Sequence, residues 1–111
     1  MLIGTIGRSP LIDRLVQSGK LDVAAIQGKW ESWISEVVAN PLPGIERALV
    51  IAGSDKRGTI FGIYDVSEQI GVSPWYWWAD VPVTPRAALY IEPGRRVFGE
   101  PVVRYRGIFL N

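Results

Sequence analysis

Neither cysteine nor histidine occurs among the 111 residues. The first absence excludes a disulfide framework, a thiolate zinc site and a cysteine nucleophile, while leaving the redox compartment open. The second excludes a Ser-His-Asp triad, an HExxH zinc helix and an imidazole general base within these residues. Long apolar runs are missing too. The longest, Ala48 to Ala52 and Trp75 to Ala79, have five residues each, against the ~20 that a membrane-spanning helix needs. No signal-peptide pattern is found in these residues. Charge of one sign is also scarce: twelve Lys and Arg face eleven Asp and Glu, a net +1. That is no electrostatic footprint for nucleic acid or an anionic membrane. The small excess is local, with five Arg and two Glu in residues 86–111.

What is present suits one folded domain. Hydrophobic residues make up 48% of the chain and charged residues 21%, enough material for a core in a chain that buries roughly 65% of its unfolded surface. Leu2 to Ile6 reads as a buried strand without a lead-in, and Val102 to Leu110 as a strand without a following turn. Whole domains seldom start and finish inside core strands, so the expectation is a piece of a longer protein.

Between the ends, Ser9-Pro10 signals a helix start, with Ser9 as cap and Pro10 in the first turn. Leu11, Ile12, Leu15 and Val16 form an apolar stripe that Gly19 ends. Trp30, Trp33, Ile34, Val37 and Val38 fit either a helical face or a strand. The β-branched content and the breaker run Asn40-Pro41-Leu42-Pro43-Gly44 favour a strand entering a hairpin. Ala48 to Ala52 reads as a fully buried strand. After a polar loop, Gly53 to Gly58, a helix follows to about Ile70, on the spacing of Ile60, Ile63, Tyr64, Ser67 and Ile70 and the stop at Gly71. Short strands are expected near Ala88 to Ile91 and Arg95 to Phe98.

Two segments carry candidate chemistry. The Gly53 to Gly58 loop precedes a helix N-terminus, where free N–H groups and the helix dipole favour an anion, and Lys56 and Arg57 add positive charge. A phosphate or a sugar carboxylate fits that reading. An ordinary connection, capped by Asp55 with both cations solvated, is the reading the local residues favour, since the spacing matches neither GxxxxGK[ST] nor GxGxxG. The run Trp75-Tyr76-Trp77-Trp78 offers either a stacking platform for sugar faces or packing area for another part of the protein. Adjacent rings cannot all point one way, so packing is expected for most and ligand contact for one or two. Among carboxylates, Asp55, Asp65, Glu68 and Asp80 are the acid–base candidates, and nothing local selects the pair a glycosidase requires.

The segments Gly4-Thr5-Ile6-Gly7-Arg8-Ser9-Pro10-Leu11-Ile12, Ala52 to Asp65, Gly71 to Pro82 and Arg104-Tyr105-Arg106-Gly107-Ile108-Phe109-Leu110-Asn111 together resemble glycoside hydrolase family 115 over essentially the whole chain. The resemblance implies a xylan α-1,2-glucuronidase that removes glucuronic acid or its 4-O-methyl ether from side chains. It implies an α/β fold of the α+β sandwich type, a small mixed sheet with two packed helices, like the non-catalytic domain that precedes the barrel in hexosaminidases and α-glucuronidases. Residues 1–101 would form this accessory domain, lacking the family's first strand and helix, and 102–111 would begin a (β/α)₈ barrel.

Active sites form at the C-terminal ends of such barrel strands, so the catalytic carboxylates are expected beyond Asn111. No catalytic or metal residue and no cofactor is assigned here. Lys56, Arg57, Trp77, Trp78 and Asn111 are the candidate substrate-binding residues. Glucuronoxylan or its oligosaccharides and the catalytic barrel are the expected partners, with no nucleic acid or membrane, and the resemblance implies a secreted or periplasmic setting. The competing class is a non-catalytic carbohydrate-binding module that uses the Trp75 to Trp78 loop. A small phosphate-binding α/β domain is a third reading.

Overall fold

The computed structural model describes residues 1–109. In chain order the elements are β1 (Leu2–Thr5), α1 (Pro10–Gln17), β2 (Trp33–Ala39), β3 (Arg47–Gly53), α2 (Lys56–Gln69), the single turn α3 (Tyr76–Ala79) and β4 (Arg95–Phe98). The strands form one mixed sheet in the order β1-β3-β2-β4. β1 runs parallel to β3, with Leu2 opposite Val50, and β2 lies antiparallel to both β3 and β4. The expected small mixed sheet with two packed helices is the observed architecture.

Strand alternation sends successive side chains to opposite faces, and the two faces are built differently. Ile34, Val38, Val50 and Ala52 face α1 and join Ile12, Leu15, Leu21, Val23 and Ile26 in the buried core. Three of those residues, Leu21, Val23 and Ile26, come from the irregular stretch between α1 and β2, which carries no helical or strand period. Burying them contributes roughly 1.5–3 kcal/mol each. The opposite face, with Trp33, Ser35 and Ile51, lies under α2.

There the contact is close because α2 presents small residues to the sheet. Gly58, Thr59 and Gly62 are its buried positions. A Cβ on Gly62 would stand 2.7 Å from Ile51 Cγ2, and one on Gly58 would stand 2.2 Å from the Ser32 carbonyl oxygen. The apolar stripe read from spacing therefore points the other way: Ile60, Ile63 and Tyr64 are exposed. Helical period located the helix correctly, but the inward face is set by how near the backbones approach. On α1, Ile12 and Leu15 are buried as expected, while Leu11 is exposed.

Other expectations need correction. Ser9 occupies the N-cap position of α1, but its side chain makes no capping bond; it packs instead where a Cβ on Gly4 would lie 2.5 Å from Ser9 Cβ. Asp13 Oδ1 accepts from the Gly7 N–H at 2.8 Å, satisfying a donor at the entry to the helix. Residues 88–91 form no strand, and β4 pairs directly with β2. The tryptophan run is not wholly a loop, because Tyr76–Ala79 closes one helical turn. Residues 102–109 carry no strand either; a barrel strand gains its hydrogen bonds from neighbours on both sides, and this stretch pairs with no strand of the sheet.

Candidate functional site

Of the expected Gly53 to Gly58 loop only Ser54 and Asp55 lie outside regular structure, because β3 runs to Gly53 and α2 already begins at Lys56. Asp55 is the N-cap residue, and its two oxygens do separate work. Oδ1 accepts from the Gly58 N–H at 2.7 Å, capping the helix, and Oδ2 accepts from the Glu31 N–H at 2.8 Å. Ser54 binds the same neighbouring stretch: its Oγ accepts from the Ser32 N–H at 3.0 Å and donates to the Ser32 carbonyl at 3.1 Å. Thr59 ties the helix start to β1 through a hydroxyl pair with Thr5 at 2.7 Å. A carboxylate of the chain thus already sits at the helix N-terminus, the position favoured for an anion.

Lys56 and Arg57 follow in the first turn. Lys56 is exposed. Arg57 is exposed too, and its Nε lies 3.0 Å from Glu31 Oε1. Its guanidinium also stands 5.8 Å from the centroid of the Phe61 ring. Glu31 is only 6% exposed, and its second oxygen pairs with Arg106. Arg106 in turn lies 5.5 Å from the Phe61 centroid and 5.9 Å from that of Trp30. Two arginines, one buried carboxylate and two aromatic rings therefore share a site drawn from residues 30, 31, 57, 61 and 106. Beside it, Trp33 and Phe98 stack across the sheet edge at 4.4 Å with an interplanar angle of 11°.

Glu31 was not among the sequence candidates. Its partners are 26 and 75 positions away along the chain, and no local motif announces such a pairing. The one local signal is conformational: Glu31 has φ of +49°, a left-handed backbone uncommon for a residue with a side chain.

The tryptophan run lies along another groove. Tyr76 and Trp77 line it together with Phe61, Tyr64 and Glu68 from α2. Their two rings meet edge to face, with centroids 5.1 Å apart. Trp77 is 85% exposed and Trp78 67%, and Trp78 lies outside that groove's lining. Phe61 touches both groups, so the arginine cluster and the aromatic groove meet along α2. Asn111 lies outside the described residues. Of the acid–base candidates, Asp55 is the α2 cap, and Asp65 pairs with Arg96 at 3.0 Å, clamping β4 to α2. Glu68 and Asp80 are exposed.

No protein-family model matches the sequence, and no curated protein matches it. Among solved structures, the chain is similar to a family GH115 4-O-methyl-alpha-glucuronidase with specificity for decorated arabinogalactans, at 33% identity and a TM-score of 0.69. The similarity covers 86% of this chain and 11% of that one. Identity at that level, together with a shared fold over most of the chain, bears out the resemblance carried by the four motif segments: the chain is a domain related to glycoside hydrolase family 115.

Proposed function

We propose that the chain is the accessory α/β domain of a glycoside hydrolase that removes glucuronic acid, or its 4-O-methyl ether, from polysaccharide side chains, with the domain packed against a catalytic (β/α)₈ barrel. The observation that carries this reading is the outward apolar surface of α2 and the segments after it. Ile60, Ile63 and Tyr64 on the helix, Trp75 to Trp78, and Tyr105, Ile108 and Phe109 are all exposed. Scattered exposed apolar residues are ordinary, but this concentration of large rings is the mark of a surface made to be covered.

In this reading residues 1–101 are the accessory unit, and the stretch from 102 onward leads into the barrel. Trp78 belongs to the covered surface. In the same reading Trp77, with Lys56 and Arg57, borders the substrate cleft; the exposure of Trp77 and Lys56 supports this. The carboxylate pair for hydrolysis belongs to the barrel. The resemblance in sequence points to xylan, and the similar solved structure is of an enzyme acting on decorated arabinogalactans, so both polymers are test substrates.

The test is release of 4-O-methylglucuronic acid by the full-length gene product from glucuronoxylan oligosaccharides and from decorated arabinogalactan. Release from either is expected, with Trp78→Ala lowering thermal stability and Trp77→Ala or Lys56→Ala raising KM. Absence of release from both, with saturable binding of polysaccharide that Trp77→Ala abolishes, would establish the binding-module reading instead.

A further inference from the structure

We infer that Glu31 is a positioning residue: it fixes the stretch 100–106 on the α/β domain by holding Arg106, and so sets the direction in which the chain leaves for the barrel. The last clause rests on the function proposed above; the contact itself does not. Glu31 is anchored before its side chain acts. Its N–H is held by the Asp55 carboxylate at 2.8 Å, which ties its main chain to the cap of α2. Its left-handed φ of +49° is a conformation that persists only where surrounding contacts over-determine it.

The side chain is then directed at two cations. One oxygen takes the Arg57 Nε at 3.0 Å and the other takes Arg106. A carboxylate that is almost fully buried must have its lone pairs satisfied by hydrogen bonds or opposite charge, and both oxygens of Glu31 meet arginines. Arg57 is supplied by the helix whatever the downstream chain does. Arg106 comes from a stretch with no secondary structure, so the pairing orders that stretch.

Its neighbours reinforce the hold. Arg106 Nη1 donates to the Val103 carbonyl at 3.1 Å, and the guanidinium faces Trp30 and Phe61. Six residues upstream, Glu100 Oε1 accepts from the Trp30 N–H at 3.1 Å. Residues 100 and 106 are thus clipped to the consecutive residues Trp30 and Glu31. Exposed ion pairs are worth little, but here the carboxylate is buried and the aromatic faces strengthen the attraction for the guanidinium.

Limited proteolysis of the full-length protein tests this directly, because cleavage follows local order in the chain. In Glu31→Gln, tryptic cleavage after Arg104 is expected to be at least tenfold faster than in the wild type, while cleavage after Arg14, on α1, keeps its rate. The kcat/KM for glucuronic acid release is expected to fall at least tenfold, and the effects of Glu31→Gln and Arg106→Gln are expected to be non-additive. Should Glu31→Gln fail to fold, Arg106→Gln leaves the Glu31–Arg57 pair in place and reads out the same contact. An unchanged rate of cleavage after Arg104 in either folded variant overturns the proposal. Faster cleavage with unchanged kcat/KM overturns the positioning role. If the wild type releases no glucuronic acid, the enzymatic reading fails, and the cleavage comparison still decides whether Glu31 holds the stretch.

Discussion

At the scale of single residues, the glycines of α2 show how sequence preference yields to packing. Glycine inside a helix costs about 1 kcal/mol relative to alanine, yet Gly58 and Gly62 both lie in α2 and are buried. The reason at Gly58 is a backbone contact: a Cβ would come within 2.2 Å of the Ser32 carbonyl oxygen. Gly58→Ala gains helix propensity and loses more to the clash, since a carbonyl cannot rotate away like a side-chain tip. Overpacking of this kind costs about 3 kcal/mol at its upper range, so net destabilisation of about 2 kcal/mol is expected in a denaturant titration. Gly94→Ala is the control. A Cβ there meets no atom within 4 Å, and its midpoint is expected to stay with the wild type.

The start of α2 poses the corresponding question at the scale of elements, because Asp55 serves two of them at once. Asp55→Ala removes the cap of α2, worth about 1 kcal/mol. It also strips the acceptor from the Glu31 N–H, leaving a partly buried donor whose loss costs about 1–3 kcal/mol. Expected destabilisation is therefore about 2–4 kcal/mol. Asp55→Asn retains one acceptor oxygen and should lose roughly half as much. An Asp55→Asn variant as stable as the wild type, measured by thermal or urea unfolding, would show that only the cap matters, since asparagine caps a helix as well as aspartate.

The same scale shows what could be read beforehand. α1, β3 and the β2–β3 hairpin follow from local signals: Pro10 and Gly19, the apolar run Ala48 to Ala52, and the breakers after Ala39. The two faces of the sheet do not. Leu21, Val23 and Ile26 enter the core without periodicity, because irregular backbone can still point side chains inward. The outward turn of Ile60, Ile63 and Tyr64 depends on how closely α2 approaches Ser32 and Ile51. At the site, Lys56, Arg57 and Trp77 were visible as residue types in a run or at a helix start. Glu31 and Arg106 acquire their meaning only when distant segments meet.

The whole molecule has a neutral charge balance and an uneven surface. Its two sheet edges are β1 and β4, and an open edge offers unpaired N–H and C=O groups to any strand that comes near. To this the chain adds the exposed rings of Trp77, Trp78, Tyr105 and Phe109, while a net charge of +1 provides little repulsion between copies. Edge pairing and apolar attraction therefore act in the same direction, with no long-range opposition. The 111-residue chain expressed alone is expected to associate as its concentration rises, with sedimentation velocity showing mass well above 12.3 kDa. Replacing Trp77, Trp78 and Tyr105 by serine should shift that association to at least tenfold higher concentration, because it removes the rings and leaves both sheet edges intact. A wild-type chain that stays monomeric and melts reversibly would mean that the apolar surface needs no cover, and would remove the observation on which the accessory-domain reading rests.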